Sequence, residues 1–470
     1  MTPETRRKLQ DVAARTPRTT NGRYTRPATP ATPADSPANG EPAARDPVNV
    51  DVYFEPAREK FWTKNGAGEW MPINKTALDM ILRSNWYSQY EKLTNSLTKV
   101  EAKTLEVMMH HSVKYAGELA GWQPGVRTIC GNQVLISRGP SIPTPTRGPW
   151  PLVKRFIAEL LGDEARYFYS WMRAAFQSLQ GGAPFAPGQL LAIAGPVGCG
   201  KSLLQKLITI MLGGRMAKPY QYLMGLTPFN GDLIGAEHLM LDDEVGKSDI
   251  KSRRHFGAMI KSTVANQQVS CHPKGARPFT TEPFWRISLS LNDEPESLMI
   301  LPPLDSDIED KVMLLRAQKA SVPYPSKALP TMQSYWDALV AEVPAYLYAL
   351  LHWEIPEELR DIRFGVKAYQ NAELLWSLSS LSPESKLWQI VLQSGLLNNY
   401  GRTWTGTAAD LESELQKSTY AKQVTDLLYY PTACGVYLSR LAKLQPDNVA
   451  KEMTSEKKYL FHLLDQTTPK

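Results

Sequence analysis

With 470 residues, 43% of them hydrophobic, the chain can bury the cores of about two to four domains and is not a disordered protein. No apolar run approaches the ~18 residues that span a bilayer, and the four scattered cysteines, with no C-x-x-C pair, argue against a zinc site or disulfide framework and suit a reducing cytosol. A net charge of +6 and a pI near 8.9 permit a nucleic-acid partner without requiring one.

Residues 1–48 hold eight prolines, many Thr and Ala, and almost no large apolar side chains. They read as a disordered tail, weakly basic through Arg6, Arg7, Lys8, Arg15 and Arg18. The opening "MTPETRRKLQD" lacks the apolar core of a secretory signal. From 50 to 180 the composition is globular and mainly helical. There "ALDMILRSNWYSQYEKL", "WPLVKRFIAELLG" and "ARYFYSWMRAAFQSL" carry helical periodicity, and "TICGNQVLIS" reads as a short strand or hairpin. The stretches "GPSIPTPTRGPW" and "GGAPFAPG" mark boundaries.

The run Leu190 to Ala194 is too short for a helix and suits a buried strand. It leads into Gly195, Pro196, Val197, Gly198, Cys199, Gly200, Lys201 and Ser202, which fit G-x-x-x-x-G-K-[ST] at every fixed position. Leu203, Leu204, Leu207, Ile208, Met211 and Leu212 then recur at helical spacing. Strand, loop and helix are the context in which such a loop binds nucleotide phosphate. Its glycines let backbone N–H groups converge, and the helix N-terminus adds partial positive charge. In that role Lys201 reaches the β- and γ-phosphates of ATP, and the Ser202 hydroxyl ligates Mg²⁺.

A second apolar strand, Leu239 to Leu241, ends in Asp242, Asp243 and Glu244. One acid holds the Mg²⁺ and a neighbour polarises the attacking water. Three consecutive acids leave the register open: Asp242 on the metal with Asp243 as base, or Asp243 with Glu244. A third strand, "FWRISLSLN", alternates Ile287, Leu289 and Leu291 with Arg286, Ser288 and Ser290 and ends in Asn292. A polar group at that tip can stand between the other two motifs and orient water, although Asn also ends many strands in turns. Between the second and third motifs a helix carrying Lys261 precedes two strand-like runs that flank "CHPKGAR", with His272, Lys274 and Arg277 at or near a hairpin tip. Lys beside Gly makes a compact cationic probe; Pro-Lys-Gly is also ordinary turn chemistry.

Residues 330–470 are mostly helical, beginning with "SYWDALVAEVPAYLYALLHW". In "TGTAADLESELQ", Thr407 and Asp410 have capping-box spacing. A second helix, "PTACGVYLSRLAKL", and two short strands in "NVAKEMTSEKKYLFHLL" complete a helix, helix, hairpin pattern like a winged helix. Arg440 and Lys443 then face a major groove, with Lys457 and Lys458 on the wing; a winged helix used only for protein contacts is the alternative.

The order of P-loop, tandem acids, Lys-bearing hairpin and strand-terminal Asn, from Gly195 to Asn292, resembles superfamily 3 helicases, and most closely the phage and plasmid primase–helicase group. "FNGDL" (Phe229 to Leu233) fits that likeness. The resemblance implies an α/β fold with an AAA+ P-loop ATPase core at 185–320, a mainly helical collar for oligomerisation at 50–180, and a helical region at 330–470 ending in a winged-helix-like domain. It implies that Lys274 and His272 touch single-stranded DNA in a ring channel. It also implies a basic residue acting on the neighbour's nucleotide. Lys311 stands where the family places an Arg, which leaves Arg316, Lys311 and Arg286 as candidates in that order. Residues 50–180 are too short and too helical for a primase–polymerase domain and show no convincing D-x-[DE] strand. The expectation is therefore a helicase without its primase, acting with ATP and Mg²⁺ on single-stranded and forked DNA. It works as a hexameric ring, beside a separate primase or other replication proteins, in the cytosol of a bacterial host. The rival expectation is an AAA+ remodelling, initiator-loader or defence ATPase.

Overall fold

Short strands open the described chain; the computed structural model describes residues 48–93, 96–242, 250–275, 277–319, 329–380, 382–400, 402–454 and 459–464. Strands β1 (Val52–Glu55), β2 (Lys60–Lys64) and β3 (Trp70–Ile73) form an antiparallel meander. Helix α1 (Lys75–Ser84) starts where Asn74 accepts from the Ala77 N–H, and α2 (Lys99–His110) starts with a Thr98–Glu101 capping box. Leu78, Leu82 and Val107 close a small core over Val52, Phe61 and Ile73. The helix read from "ALDMILRSNWYSQYEKL" stops at Ser84, and Trp86 has φ 69, outside helical space.

Strands β4 (Tyr115–Gly117), β5 (Gly125–Ile129) and β6 (Asn132–Ile136) follow, with β4 parallel and β5 antiparallel to β6. The β5–β6 turn is Cys130-Gly131, with φ 48 and 76, the positive pair that a two-residue hairpin loop needs. Two three-stranded sheets share residues 50–180 with the helices. Strands of three to five residues are too short to declare a period of two.

Helices α3 (Pro151–Leu161) and α4 (Ala165–Gly181) precede β7 (Leu190–Ala194), α5 (Lys201–Met211), β8 (Met216–Ala217) and β9 (His238–Asp242). Then come α6 (Ile250–Ala265), β10 (Val269–Cys271), β11 (Phe279–Thr281), β12 (Arg286–Leu291), β13 (Val312–Arg316) and α7 (Leu329–Leu351). A five-stranded sheet, order β13-β7-β12-β9-β8, is parallel throughout. Because both faces are covered, β7 is buried along its whole length. Leu191 and Ile193 face a core shared with Phe156 of α3, Trp171 of α4, Leu207 of α5 and Leu347 of α7. Leu190 and Ala192 face the other core, shared with Ile260 of α6 and with Ile129, Val134 and Ile136 of the β4–β6 sheet. The segment before residue 180 therefore shares both cores of the sheet that carries the P-loop. A buried ion pair adds to this: Glu237 accepts from Arg215 and from the Gly121 N–H at 2.8 Å.

At the C-terminal end, α8 (Ala372–Ser380), α9 (Pro383–Gln393), β14 (Thr403–Gly406), α10 (Ala408–Gln416), α11 (Ala421–Leu427), α12 (Ala433–Leu444), β15 (Val449–Met453) and β16 (Tyr459–Leu464) follow in order. The strands pair antiparallel in the order β14-β16-β15. Leu387, Trp388, Leu411, Leu438 and Phe461 belong to a core of their own. Thr407 and Asp410 form the capping box of α10. No helix among the described residues is long and apolar enough to cross a membrane.

Candidate functional site

The loop after β7 lies at the carboxyl edge of the parallel sheet, the edge at which ligands bind in open α/β sheets. Gly195 donates its N–H to the Leu291 carbonyl at 3.1 Å, and the next strand is equally close: a Cβ on Gly195 would lie 2.3 Å from the Ala317 carbonyl oxygen. Gly198 and Gly200 have φ 72 and 117, so the turn needs glycine at both places. Cys199 is buried and Val197 is exposed. Lys201, first residue of α5, is buried, and its ammonium donates to the carbonyls of Gly195 (2.7 Å) and Pro196 (2.8 Å) and to Asn292 Oδ1 (3.4 Å). Ser202 Oγ donates to Asp242 Oδ1 at 3.0 Å, and Ser290 Oγ donates to the same oxygen at 2.8 Å.

The strand register explains this convergence. Leu291 pairs with Ala194, and Ser290 with Asp242. Strand β12 lies between β7 and β9, so Asn292 at its tip stands between the loop and the acid. Lys201, Ser202, Asp242 and Asn292 are thus brought together. Asp243 and Glu244 lie outside the described residues.

Beneath the loop runs a buried polar chain that the sequence analysis missed. Gln205 donates from Nε2 to the Leu241 carbonyl (2.9 Å) and to Ser288 Oγ (2.8 Å). The fully buried His238 lies between Ser288 Oγ at Nε2 (2.8 Å) and Thr209 Oγ1 at Nδ1 (2.7 Å). Thr209 in turn donates to the Gln205 carbonyl at 3.2 Å. One assignment makes these bonds mutually compatible: Ser288 donates to Nε2, and a neutral imidazole donates from Nδ1 to Thr209, while the buried Gln205 Oε1 is left without a partner among the described residues. Burial holds the His238 pKa at about 3, which agrees with a neutral ring. The one signal in the sequence is spacing, since Lys201, Gln205 and Thr209 recur every four residues on one helix face.

The three cations considered for action on a neighbour separate along the sheet. Arg316 ends the edge strand β13 opposite Ala194, beside its own chain's loop. Its side chain is part-exposed and paired with Glu373, and its N–H donates to Glu164 Oε2 at 2.7 Å. Lys311 lies at the opposite end of β13, buried and paired with Asp310. Arg286 lies at the start of β12, buried over the Phe284 ring, and donates to the carbonyls of Trp285 (2.8 Å) and Ala186 (3.1 Å). Lys311 and Arg286 are thus buried within their own chain, and of the three only the Arg316 side chain is part-exposed.

The segment expected to form a hairpin does so: β10 and β11 pair antiparallel. Lys274 and Arg277 are exposed at its tip, while His272 is half-buried, its ring 5.1 Å from that of Phe229. At the C-terminal end, α10, α12 and the β15–β16 hairpin border a concavity of about 950 Å³ whose lining includes Ser439, Arg440, Lys443, Lys451 and Tyr459. Arg440 is tied back to Glu384 at 3.5 Å. Lys451 lies 3.7 Å above the Tyr459 ring and donates to Ser439 Oγ at 2.9 Å. Lys457 and Lys458 lie outside the described residues.

Comparison with known proteins bears on the fold. A family profile described as a family of unknown function (DUF5906) matches residues 193–307, from β7 to the turn before β13. No curated protein matches the chain. Among solved structures, the apo form of the NrS-1 C-terminal region is similar at 13% identity, covering 88% of this chain and 96% of its own, with a TM-score of 0.52. Its A form, also apo, is similar at 10% identity over 88% and 97%, with a TM-score of 0.50. A JCV helicase with a bound acetamide compound covers 49% of this chain and 59% of its own at a TM-score of 0.28, too distant to extend the comparison. The chain thus has a mixed α/β fold that it shares, over most of its length, with the NrS-1 C-terminal region.

Proposed function

We propose that the chain is an AAA+ ATPase of the superfamily 3 helicase type, which uses ATP hydrolysis to move along DNA as an oligomeric ring, hexameric by family resemblance, in replication of a phage, plasmid or mobile element. One observation carries this reading. Lys201, Ser202, Asp242 and Asn292 converge at the carboxyl edge of three adjacent strands, and a cationic hairpin occupies the segment that joins the strand of Asp242 to that of Asn292. The order of motifs and the fold shared with the NrS-1 C-terminal region support it.

In this reading Lys201 exchanges its neutral acceptors for the β- and γ-phosphates of ATP, a stronger, charge-assisted pairing. The oxygens of Ser202 and Asp242, 3.0 Å apart, form a hard donor set that suits Mg²⁺. Mg²⁺ held there neutralises phosphate charge. Asn292 orients the attacking water, and Asp243 takes its proton, with Glu244 as the alternative. Because β10 and β11 lie between Asp242 and Asn292, a change at the γ-phosphate displaces the tip at His272, Lys274 and Arg277 along a single strand. Arg316 completes a site between subunits. Residues 50–180 assist oligomerisation, and Arg440, Lys443, Lys457 and Lys458 contact duplex phosphates.

The test is the rate of ATP hydrolysis with and without forked DNA, together with particle mass in the presence of nucleotide. Stimulation by DNA and a closed oligomer are expected. An oligomer indifferent to DNA favours a remodelling, loader or defence ATPase. A footprint on one DNA sequence that survives Lys201→Ala favours a sequence-specific binding module.

A further inference from the structure

The β10–β11 hairpin rests on three consecutive residues of the connection between β8 and β9. Asn230 is only 1% exposed, and both polar atoms of its side chain face the outer edge of β10. Its Oδ1 accepts from the His272 N–H at 2.7 Å, and its Nδ2 donates to the Ser270 carbonyl at 3.0 Å. The Asn230 N–H adds a bond to the His272 carbonyl at 3.3 Å. On one side of it the Phe229 ring meets His272; on the other, Gly231 lies so close to the turn that a Cβ would be 2.7 Å from Pro273 Cα. The seat is itself anchored, since Trp285 Nε1 donates to the Leu233 carbonyl at 3.2 Å and the Ala120 N–H to the Ile234 carbonyl at 2.7 Å.

Ser270 and His272 are two residues apart, so their outward groups point to the same side of the strand. Asn230 supplies to that edge what a third strand would supply, using one side chain and one N–H. The other strand of the hairpin is held independently, by Phe279 stacked on Tyr115 at 5.1 Å. One continuous segment, residues 229–242, therefore runs from the seat of the hairpin to the acid of the nucleotide site.

We propose that Asn230 is a positioning residue for the cationic tip: by holding the outer edge of β10 it sets the direction of Lys274 and Arg277, and with it the affinity for single-stranded DNA. This rests on the reading of the tip as a DNA contact. The seat and the tip are separable, because Asn230 is buried and neutral whereas Lys274 and Arg277 are exposed and charged.

The test compares Asn230→Ala, Gly231→Ala and Lys274→Ala in the full chain. It measures binding of a fluorescent single-stranded oligonucleotide, DNA-stimulated hydrolysis and amide exchange. Loss of Asn230's bonds, or a Cβ at Gly231, raises the DNA concentration for half-maximal stimulation about tenfold, with turnover at saturating DNA retained. In both seat variants the amides of β10 and β11 exchange faster while those of β7 and β12 do not change. Lys274→Ala weakens binding with the hairpin amides protected as in the parent. If Lys274→Ala weakens binding and the seat variants bind like the parent, Asn230 does not position the tip, and the proposal falls while the DNA reading stands. If none of the three alters binding, the tip is not the DNA contact and both fall. Should Asn230→Ala not fold, Gly231→Ala decides alone, because it removes no polar group.

Discussion

Lys201 donates to two carbonyls of its own loop and to Asn292, which keeps the buried ammonium satisfied; in the proposed reading phosphate replaces these acceptors. Lys201→Ala leaves the fold intact and lowers hydrolysis by about three orders of magnitude, measured as phosphate release at saturating ATP. His238 makes a second prediction, about pH. Its folded pKa of about 3 lies below the ordinary imidazole value of 6.5, because burial disfavours the charged ring. Between these values the unfolded chain holds a proton that the folded chain refuses. The neutral ring's contribution is therefore complete above pH 6.5 and is lost as pH falls toward 3. Denaturant titrations at a series of pH values show a share of the slope, up to about 1.4 kcal/mol per pH unit, that disappears in His238→Gln. A slope unchanged by that substitution would mean that His238 titrates normally. Local pattern was enough to find Lys201, Ser202, Asp242 and Asn292, but Gln205, Ser288 and His238 meet only once the register of β9 against β12 is set.

At the scale of elements, the approach of the P-loop to the residue after β13 leaves no room at Gly195. Gly195→Ala pushes backbone against backbone, costs about 1–3 kcal/mol, and weakens ATP binding together with stability. Calorimetric titration with ATP, beside a thermal melt, checks both. At the C-terminal concavity the available cations differ from those the sequence favours. Arg440 is tied to Glu384, whereas Lys451, absent from the sequence-level candidates, lines the concavity beside Lys443. Lys443→Ala with Lys451→Ala weakens duplex binding and flattens its salt dependence by about one to two units of slope, read from anisotropy at several salt concentrations. An unchanged slope assigns that surface to a protein. Capping boxes and hairpin turns were legible here because they are contiguous, as at Thr407 and Asp410. The short strands β1 to β4 were not, because three to five residues carry too little pattern.

For the whole molecule, a site completed between subunits makes hydrolysis rise steeply with protein concentration. Arg316 is the one cation of the three that is not buried, and it lies on the edge strand. Mixing Arg316→Ala with Lys201→Ala subunits restores part of the activity, since some interfaces then join an intact loop to an intact Arg. Mixtures as inactive as their parts place Arg316 on its own chain's nucleotide, which its position opposite Ala194 also allows.

The glycine-rich loop from Gly195 to Ser202, the acid and Asn that accompany it, the cationic hairpin and the helix-and-hairpin pattern of the C-terminal end are all legible in the chain order alone. Each is a run of neighbouring residues whose chemistry or period is complete within about twenty positions. What lies between those runs follows from long-range packing. It put β12 between β7 and β9, buried Lys311 and Arg286 while leaving Arg316 part-exposed, and seated the hairpin on Asn230. It also packed the segments before residue 180 into both cores of the central sheet. The reason is physical: burial, strand order and register come from contacts between residues far apart in the chain, and no local period encodes which of two apolar faces a sheet turns toward which partner.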